Sequence, residues 1–174
     1  GRNYPVTLGI WGDAKAVLRD LVDLVKAKVA KLSAPQMKEL EERKKTSFED
    51  TLRLKGELKY FKEPEMFSDA VPLMPQRACK EIREVAPKDA IIWTDCGNNL
   101  AWTERYIQSI GLPGTFLVDG GHTHMGFSVA ASIGSKLACP DRAVIDVLGD
   151  GGFQMLGKEI TTAAAYGVPV VWCI

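Results

Sequence analysis

From residue 75 onward, apolar and polar positions alternate in blocks. QRACKEIREVA (76–86) returns its apolar residues at helical spacing, and AIIWTDC (90–96) is a short, nearly continuous apolar run. A helix is expected over about 98–108, then a strand at TFLVD (115–119) and a helix at FSVAASIGSKLA (127–138). A strand at AVIDVLGD (143–150), a helix at LGKEITTAAAYG (156–167) and a strand at PVVWCI (169–174) complete the series. Strands that scarcely alternate, separated by helices, belong to a parallel sheet covered on both faces. The fold class predicted is therefore α/β, a doubly wound parallel sheet.

Upstream the texture differs. The first ten residues read as a short strand and loop. Ala14, Val17, Leu18, Leu21, Val25 and Val29 then keep one face of a helix, with Asp13 as its N-cap. Residues 33–70 are dense in both charges and poor in aliphatic pattern, as in a solvated helix or two within a linker. The boundaries expected are a tail of a preceding domain over 1–32, a charged linker over 33–74 and the α/β domain over 75–174. The last apolar strand resembles an innermost one, so the domain is expected to be incomplete at its C-terminal end and the chain to be a piece of a longer protein.

Composition narrows the functions. The chain has 174 residues, 46% of them hydrophobic, enough for a real core. Lys+Arg and Asp+Glu both number 22, so there is no broad electrostatic grip for nucleic acid or an anionic membrane. No apolar run reaches the roughly 20 residues of a membrane helix. Cys79, Cys96, Cys139 and Cys173 form no CxxC pair, and Cys96 and Cys173 read as buried free thiols in a reducing, cytoplasmic setting.

The chemistry concentrates at Gly149-Asp150-Gly151-Gly152, where a strand ends and a helix is near. Ligands of open α/β sheets bind beyond the carboxyl ends of strands. Glycines let backbone N–H groups approach an anion, and a helix start favours negative charge. Asp150 alone would repel a phosphate, and a divalent cation between them removes the conflict, which suggests a Mg²⁺-bridged diphosphate. A tight turn with Asp150 as a helix cap satisfies the same residues. GFQMLGK (152–158) has the spacing of a P-loop, but Glu159 stands where Ser or Thr holds the metal, and Gln154 breaks the GxGxxG pattern. A nucleotide-binding domain and a non-catalytic module are the alternative readings.

TDCGNNLAW (94–102), DGGHTHMGFSVAASIG (119–134), AVIDVLGDGGFQM (143–155) and AAAYGVPVVWCI (163–174) together resemble the C-terminal, diphosphate-binding domain of thiamine-diphosphate-dependent enzymes, in the acetolactate synthase (acetohydroxyacid synthase)-like branch. The resemblance covers about 75–174, and the first residues look like the end of that family's central domain. It implies that Asp150 holds Mg²⁺ and that Gly149, Gly151 and Gly152 lie along the diphosphate. Gly152 stands where the family often has Ser, so one hydroxyl contact is missing. Asn98 and Asn99 match a polar pair that reaches the diphosphate, though Asn also begins helices. Met125 matches the bulky residue that holds the cofactor rings in a V shape, with backbone groups of Thr123 and Met125 on the aminopyrimidine.

The resemblance further implies decarboxylation and carboligation of 2-keto acids such as pyruvate, as a transferase or lyase, with another thiamine-diphosphate decarboxylase or acetyltransferase of the same superfamily as the alternative. It assigns no catalytic side chain to this chain, because the family's glutamate comes from the N-terminal pyrimidine-binding domain of another subunit in a homodimer or homotetramer. His122 and His124 are expected to line or rim the pocket rather than bind metal, Asp95 to cap a helix or support the site from behind, and Trp102 to pack.

Overall fold

The computed structural model describes residues 3–108 and 112–174. Residues 1 and 2 of the expected first strand lie outside the described residues. The chain forms two compact units, residues 1–60 and 61–174.

In the first unit, helix α1 (Ala14–Val29) starts where Asp13 accepts a hydrogen bond from the Ala16 N–H at 2.9 Å. Helix α2 (Ala34–Glu57) begins with the Gln36 Oε1 reaching back to the Ser33 N–H at 2.9 Å. Arg53 pairs with Glu57 (2.8 Å) and Asp50 (3.3 Å) along its surface, so charges that lack a core are spent on i,i+3 and i,i+4 pairs. The expected strand in the first ten residues does not form among the described ones. Val6, Leu8 and Ile10 are exposed with no edge to pair against, and a strand without a neighbour does not hold.

The second unit contains the sheet. Residues 61–74 belong with it: Met66, in a 3₁₀ turn (Pro64–Phe67), is buried, and Glu63 pairs with Arg105 at 2.5 Å. Then follow α3 (Pro75–Val85), β1 (Ile91–Thr94), α4 (Asn98–Tyr106), β2 (Phe116–Val118), α5 (Phe127–Ala138), β3 (Val144–Val147), α6 (Asp150–Leu156), α7 (Glu159–Ala165) and β4 (Val171–Cys173). The strands run parallel in the order β2-β1-β3-β4. One face packs Ile92 and Ile145 on Cys79 and Ile82 of α3 and Trp102 and Tyr106 of α4. On the other face, Trp172 packs with Ile133 of α5, Ala163 of α7 and Val168. Both faces are covered, which is the doubly wound α/β fold that the run of apolar strands predicts.

Two sequence expectations are corrected here. The helix expected over 156–167 forms over the narrower range of α7, and a further short helix that was not expected, α6, precedes it. Gly157 packs against the Phe153 carbonyl so tightly that a side chain there would collide with it, and the chain turns before α7. Cys96 and Cys173 are only half-buried; the buried thiol is Cys79, whose pKa burial pushes up to about 11, so it is unreactive.

The face toward α5 carries a polar interruption. Trp93, Asp146 and Trp172 are neighbours across β1, β3 and β4. Trp93 Nε1 donates to Ser135 Oγ on α5 at 2.8 Å. Asp146 is fully buried; its Oδ2 accepts from Ser128 Oγ at 3.0 Å, while its Oδ1 has no partner. Burial raises the Asp146 pKa from 3.8 to about 7; the Ser128 hydroxyl opposes that rise and the nearby Asp95 charge adds to it. A carboxyl with a raised folded-state pKa favours the fold fully below its unfolded value, and that contribution is lost as pH rises. Asp146→Asn should therefore flatten the fall in melting temperature of the parent between pH 3.8 and about 7, measured by thermal denaturation across that range.

Candidate functional site

Strand order reverses between β1 and β3: β1 is followed in sequence by β2 on one side of it, while β3 and β4 lie on the other. The helices that leave these two strands, α4 and α6, go to different surroundings, α4 beside α3 and α6 beside α5. A crevice opens at such a point, at the carboxyl ends of the strands.

Its floor is pinned by Asn99. The Nδ2 donates to the Asp95 carbonyl (2.8 Å) beyond β1 and to the Val147 carbonyl (3.2 Å) at the end of β3. The two strand ends are thereby tied across the crevice. Asn98, the first residue of α4, is exposed at the mouth. Gly97 before it takes φ of 108°, a conformation costly to any residue with a side chain.

The far wall is the start of α6. Asp150, Gly151 and Gly152 are not a loop leading to a helix, as the sequence suggests, but its first turn, with Gly149 as N-cap. An acidic residue at the start of a helix is favoured by the helix dipole. Asp150 is exposed, and its Oδ1 accepts from the Gly151 N–H at 2.8 Å. The same finding removes the P-loop reading, since Gly152 to Leu156 is helical and cannot wrap a phosphate.

The third wall is the segment 119–126, folded around Asp119. Its carboxylate accepts from the Gly121 N–H (3.1 Å) and the His124 N–H (3.2 Å) and faces His124 Nδ1 at 3.0 Å. The His124 ring, then the His124 and Gly121 N–H groups, hold the Asp119 carboxyl down at about 2. Thr123 is left-handed, at φ 53°. Met125 then reaches the opposite wall: a side chain on Gly151 would lie 2.7 Å from its Cε. His124, Met125, Phe127, Met155 and Leu156 line an open, mostly apolar cleft of about 530 Å³. His122 sits edge-on to His124, ring centroids 5.7 Å apart.

The structure thus gathers Asn99, Met125, Gly149, Gly151 and Gly152 at one mouth, with Asp150 beside them. Gly152 and Gly126 pack on each other, since a side chain on Gly126 would meet the Gly152 carbonyl at 2.9 Å. Trp102 packs into the core and stacks on Tyr106. Sequence reasoning missed Asp119, Phe127 and Met155. The Asp-Gly-Gly stretch at 119–121 is the signal for the first, because Asp side chains bond the backbone two residues on. Among the described residues, no group of three or more His, Cys, Asp and Glu side chains is placed to hold a metal ion. A cation at Asp150 would need oxygens from its ligand. A lone exposed carboxylate beside a glycine-lined helix start, next to an apolar cleft, is a donor set that fits a metal-bridged diphosphate carrying an aromatic body.

Comparison with known proteins points to a diphosphate-bearing cofactor. Residues 95–174 match the family described as "Thiamine pyrophosphate enzyme, C-terminal TPP binding domain". The chain is 39% identical over 180 residues to a probable acetolactate synthase large subunit of Methanocaldococcus jannaschii, covering 100% of this chain and 28% of that protein. It is 36% identical over 179 residues to a probable acetolactate synthase large subunit of Methanococcus aeolicus, 100% of this chain and 29% of that one. An acetolactate synthase large subunit of Lactococcus lactis is 39% identical over 98 residues, 56% of this chain and 17% of that protein. The chain spans under a third of the length of these relatives.

Two glycine substitutions should separate folding from site geometry. Gly126→Ala forces a side chain onto a φ of 83° and into the Gly152 carbonyl, and should cost about 1–3 kcal/mol in a thermal or urea melt. Gly151→Ala meets only the flexible end of Met125 and gains helix propensity, so stability should hold within about 1 kcal/mol. Its effect should be a moved Met125 methyl resonance in ¹³C-methyl-methionine spectra.

Proposed function

We propose that this chain, whose residues 95–174 match the thiamine pyrophosphate enzyme C-terminal TPP-binding domain, is such a domain of the acetolactate synthase-like kind and holds the diphosphate of thiamine diphosphate through Mg²⁺ on Asp150. Supporting this above all is the meeting of the first turn of α6 with Met125 at the crevice between β1 and β3. Bound there, the cofactor supplies a stabilised carbanion for breaking and making carbon–carbon bonds next to a carbonyl.

The residues of this chain bind and orient. Asp150 offers its carboxylate to the cation, which cancels the repulsion between that carboxylate and the phosphates. Gly149, Gly151 and Gly152 leave the backbone bare for the diphosphate; an added Cβ at Gly151 would meet the end of Met125, and one at Gly152 would strike Asp95. Asn98 presents its amide at the rim as an uncharged donor. Asn99 shapes the crevice by holding the two strand ends together. Backbone groups of Thr123 and Met125 would hold the aminopyrimidine, and the Met125 side chain would support the rings. The apolar lining of the cleft offers a surface for the aromatic body of the cofactor.

In the protein as a whole the reaction proposed is acetolactate synthase-like: a 2-keto acid such as pyruvate loses CO₂ and its remainder is joined to a second carbonyl. The proton-moving carboxylate is assigned to the N-terminal pyrimidine-binding domain of another subunit, which makes the working form a homodimer or homotetramer, placed in the cytoplasm. Among the described residues no helix is long and apolar enough to cross a membrane.

Asp150→Ala should weaken thiamine diphosphate binding in the presence of Mg²⁺ by about tenfold or more, read by calorimetry (each tenfold about 1.4 kcal/mol). The melting temperature should hardly change, because Asp150 is exposed. Chelating Mg²⁺ from the parent should reproduce the loss. Equal binding by the variant and the parent would remove the metal role of Asp150.

A further inference from the structure

Asp95 stands just past β1 and is buried at 2% exposure, yet the binding roles proposed above do not use it. Its backbone is fixed twice. The N–H donates to the Val147 carbonyl at 3.0 Å, and the carbonyl accepts from Asn99 Nδ2 at 2.8 Å. Its carboxylate points to a different element. Oδ2 accepts from the Gly126 N–H at 2.7 Å and Oδ1 from the Ser128 N–H at 3.5 Å. Gly126 is the N-cap of α5, where backbone donors have no partner within the helix. The cap of α5 is therefore supplied by the strand at the centre of the crevice and not by its own sequence.

Gly152 lies directly over this bond. A side chain on Gly152 would collide with Asp95 Oδ2 and come within 3.2 Å of the Gly126 nitrogen. Asp95, Gly126 and Gly152 thus form one contact, made of a carboxylate and two bare backbones. Met125 is bonded to Gly126 and touches Gly151 at the other end. A movement of the Asp95 carboxylate has only this short path to travel before it displaces Met125 against α6.

We propose that Asp95 is a positioning residue: its carboxylate, locked to Gly126 beneath Gly152, sets the height of Met125 over the first turn of α6 and so the shape of the ring-binding part of the cleft. The inference rests on reading that cleft as the thiamine diphosphate site. It also explains why residue 152 carries no side chain in this protein: the space a side chain would occupy is filled by Asp95.

The test uses the full-length protein with ¹³C-methyl methionine, comparing the parent with Asp95→Asn and Asp95→Ala. Two quantities are read: the Met125 methyl resonance without cofactor, and the affinity for thiamine diphosphate with Mg²⁺. The Met125 resonance should move part of the way in Asp95→Asn and further in Asp95→Ala, while those of Met37, Met66 and Met74 stay in place. Affinity should fall in the same order, by about three- to thirtyfold, the range that a lost helix cap carries. If Asp95→Ala does not fold, Asp95→Asn decides, since it keeps the shape and one acceptor and removes the charge. Unmoved Met125 resonances, or unchanged affinity in a variant whose parent binds the cofactor, would overturn the proposal. A parent that binds no cofactor would overturn the site reading instead, and the methyl resonances would still decide whether Asp95 sets Met125.

Discussion

The pairing of β1 with β3 is the constraint on which the site depends. Ile91 to Thr94 runs beside Val144 to Val147 in parallel register, so both strands end at the same level. Parallel strands release their chains at one edge, and here the two chains leave toward different helices. Asn99 turns that edge into a defined crevice by bonding a carbonyl from each side. Remove the shared level, and the Asp150 carboxylate, the glycines of α6 and the Met125 side chain would have no common point to face.

Much of this is readable in the sequence because the signals are local. Apolar runs such as AIIW and AVIDV are too short for helices and too apolar for a half-solvated sheet, so they mark buried parallel strands. Phe127 to Ala138 is helical at the boundaries that its composition suggests. The first ten residues mislead for a physical reason: β-prone residues become a strand only when an edge accepts them, and that edge cannot be seen in a local window. Gly151 and Gly152 mislead differently. Glycine is a poor helix former, so a turn is the natural reading, yet the first turn of α6 accepts them because any side chain at either position would strike Met125 or Asp95.

The long-range contacts were the least legible. Asp95 is a strand-end carboxylate in sequence, open to several roles; only the fold shows that it meets a helix N-terminus more than thirty residues later. Asp146 reads as one polar residue in an apolar run. The fold shows it sealed between α5 and the sheet, bonded to Ser128, whose N–H points to Asp95. Ser128 thus touches both buried carboxylates. Burial in that setting is the main reason for the raised Asp146 pKa, and the nearby Asp95 charge adds to it.

The connectivity of the sheet has a further consequence, for how the domain is made. No two neighbouring strands among the described residues are joined by a hairpin: β1 meets β2 only after α4, and β3 only after α5 as well. Every strand pairing closes a long loop, and the entropy of that closure comes before any reward from the ladder. Helices such as α3 and α5 can form early from local contacts, whereas the crevice exists only once the most distant pair has met. Assembly should be slow compared with helical proteins of this size, and a newly made chain should expose its apolar strand edges to its neighbours until β3 docks.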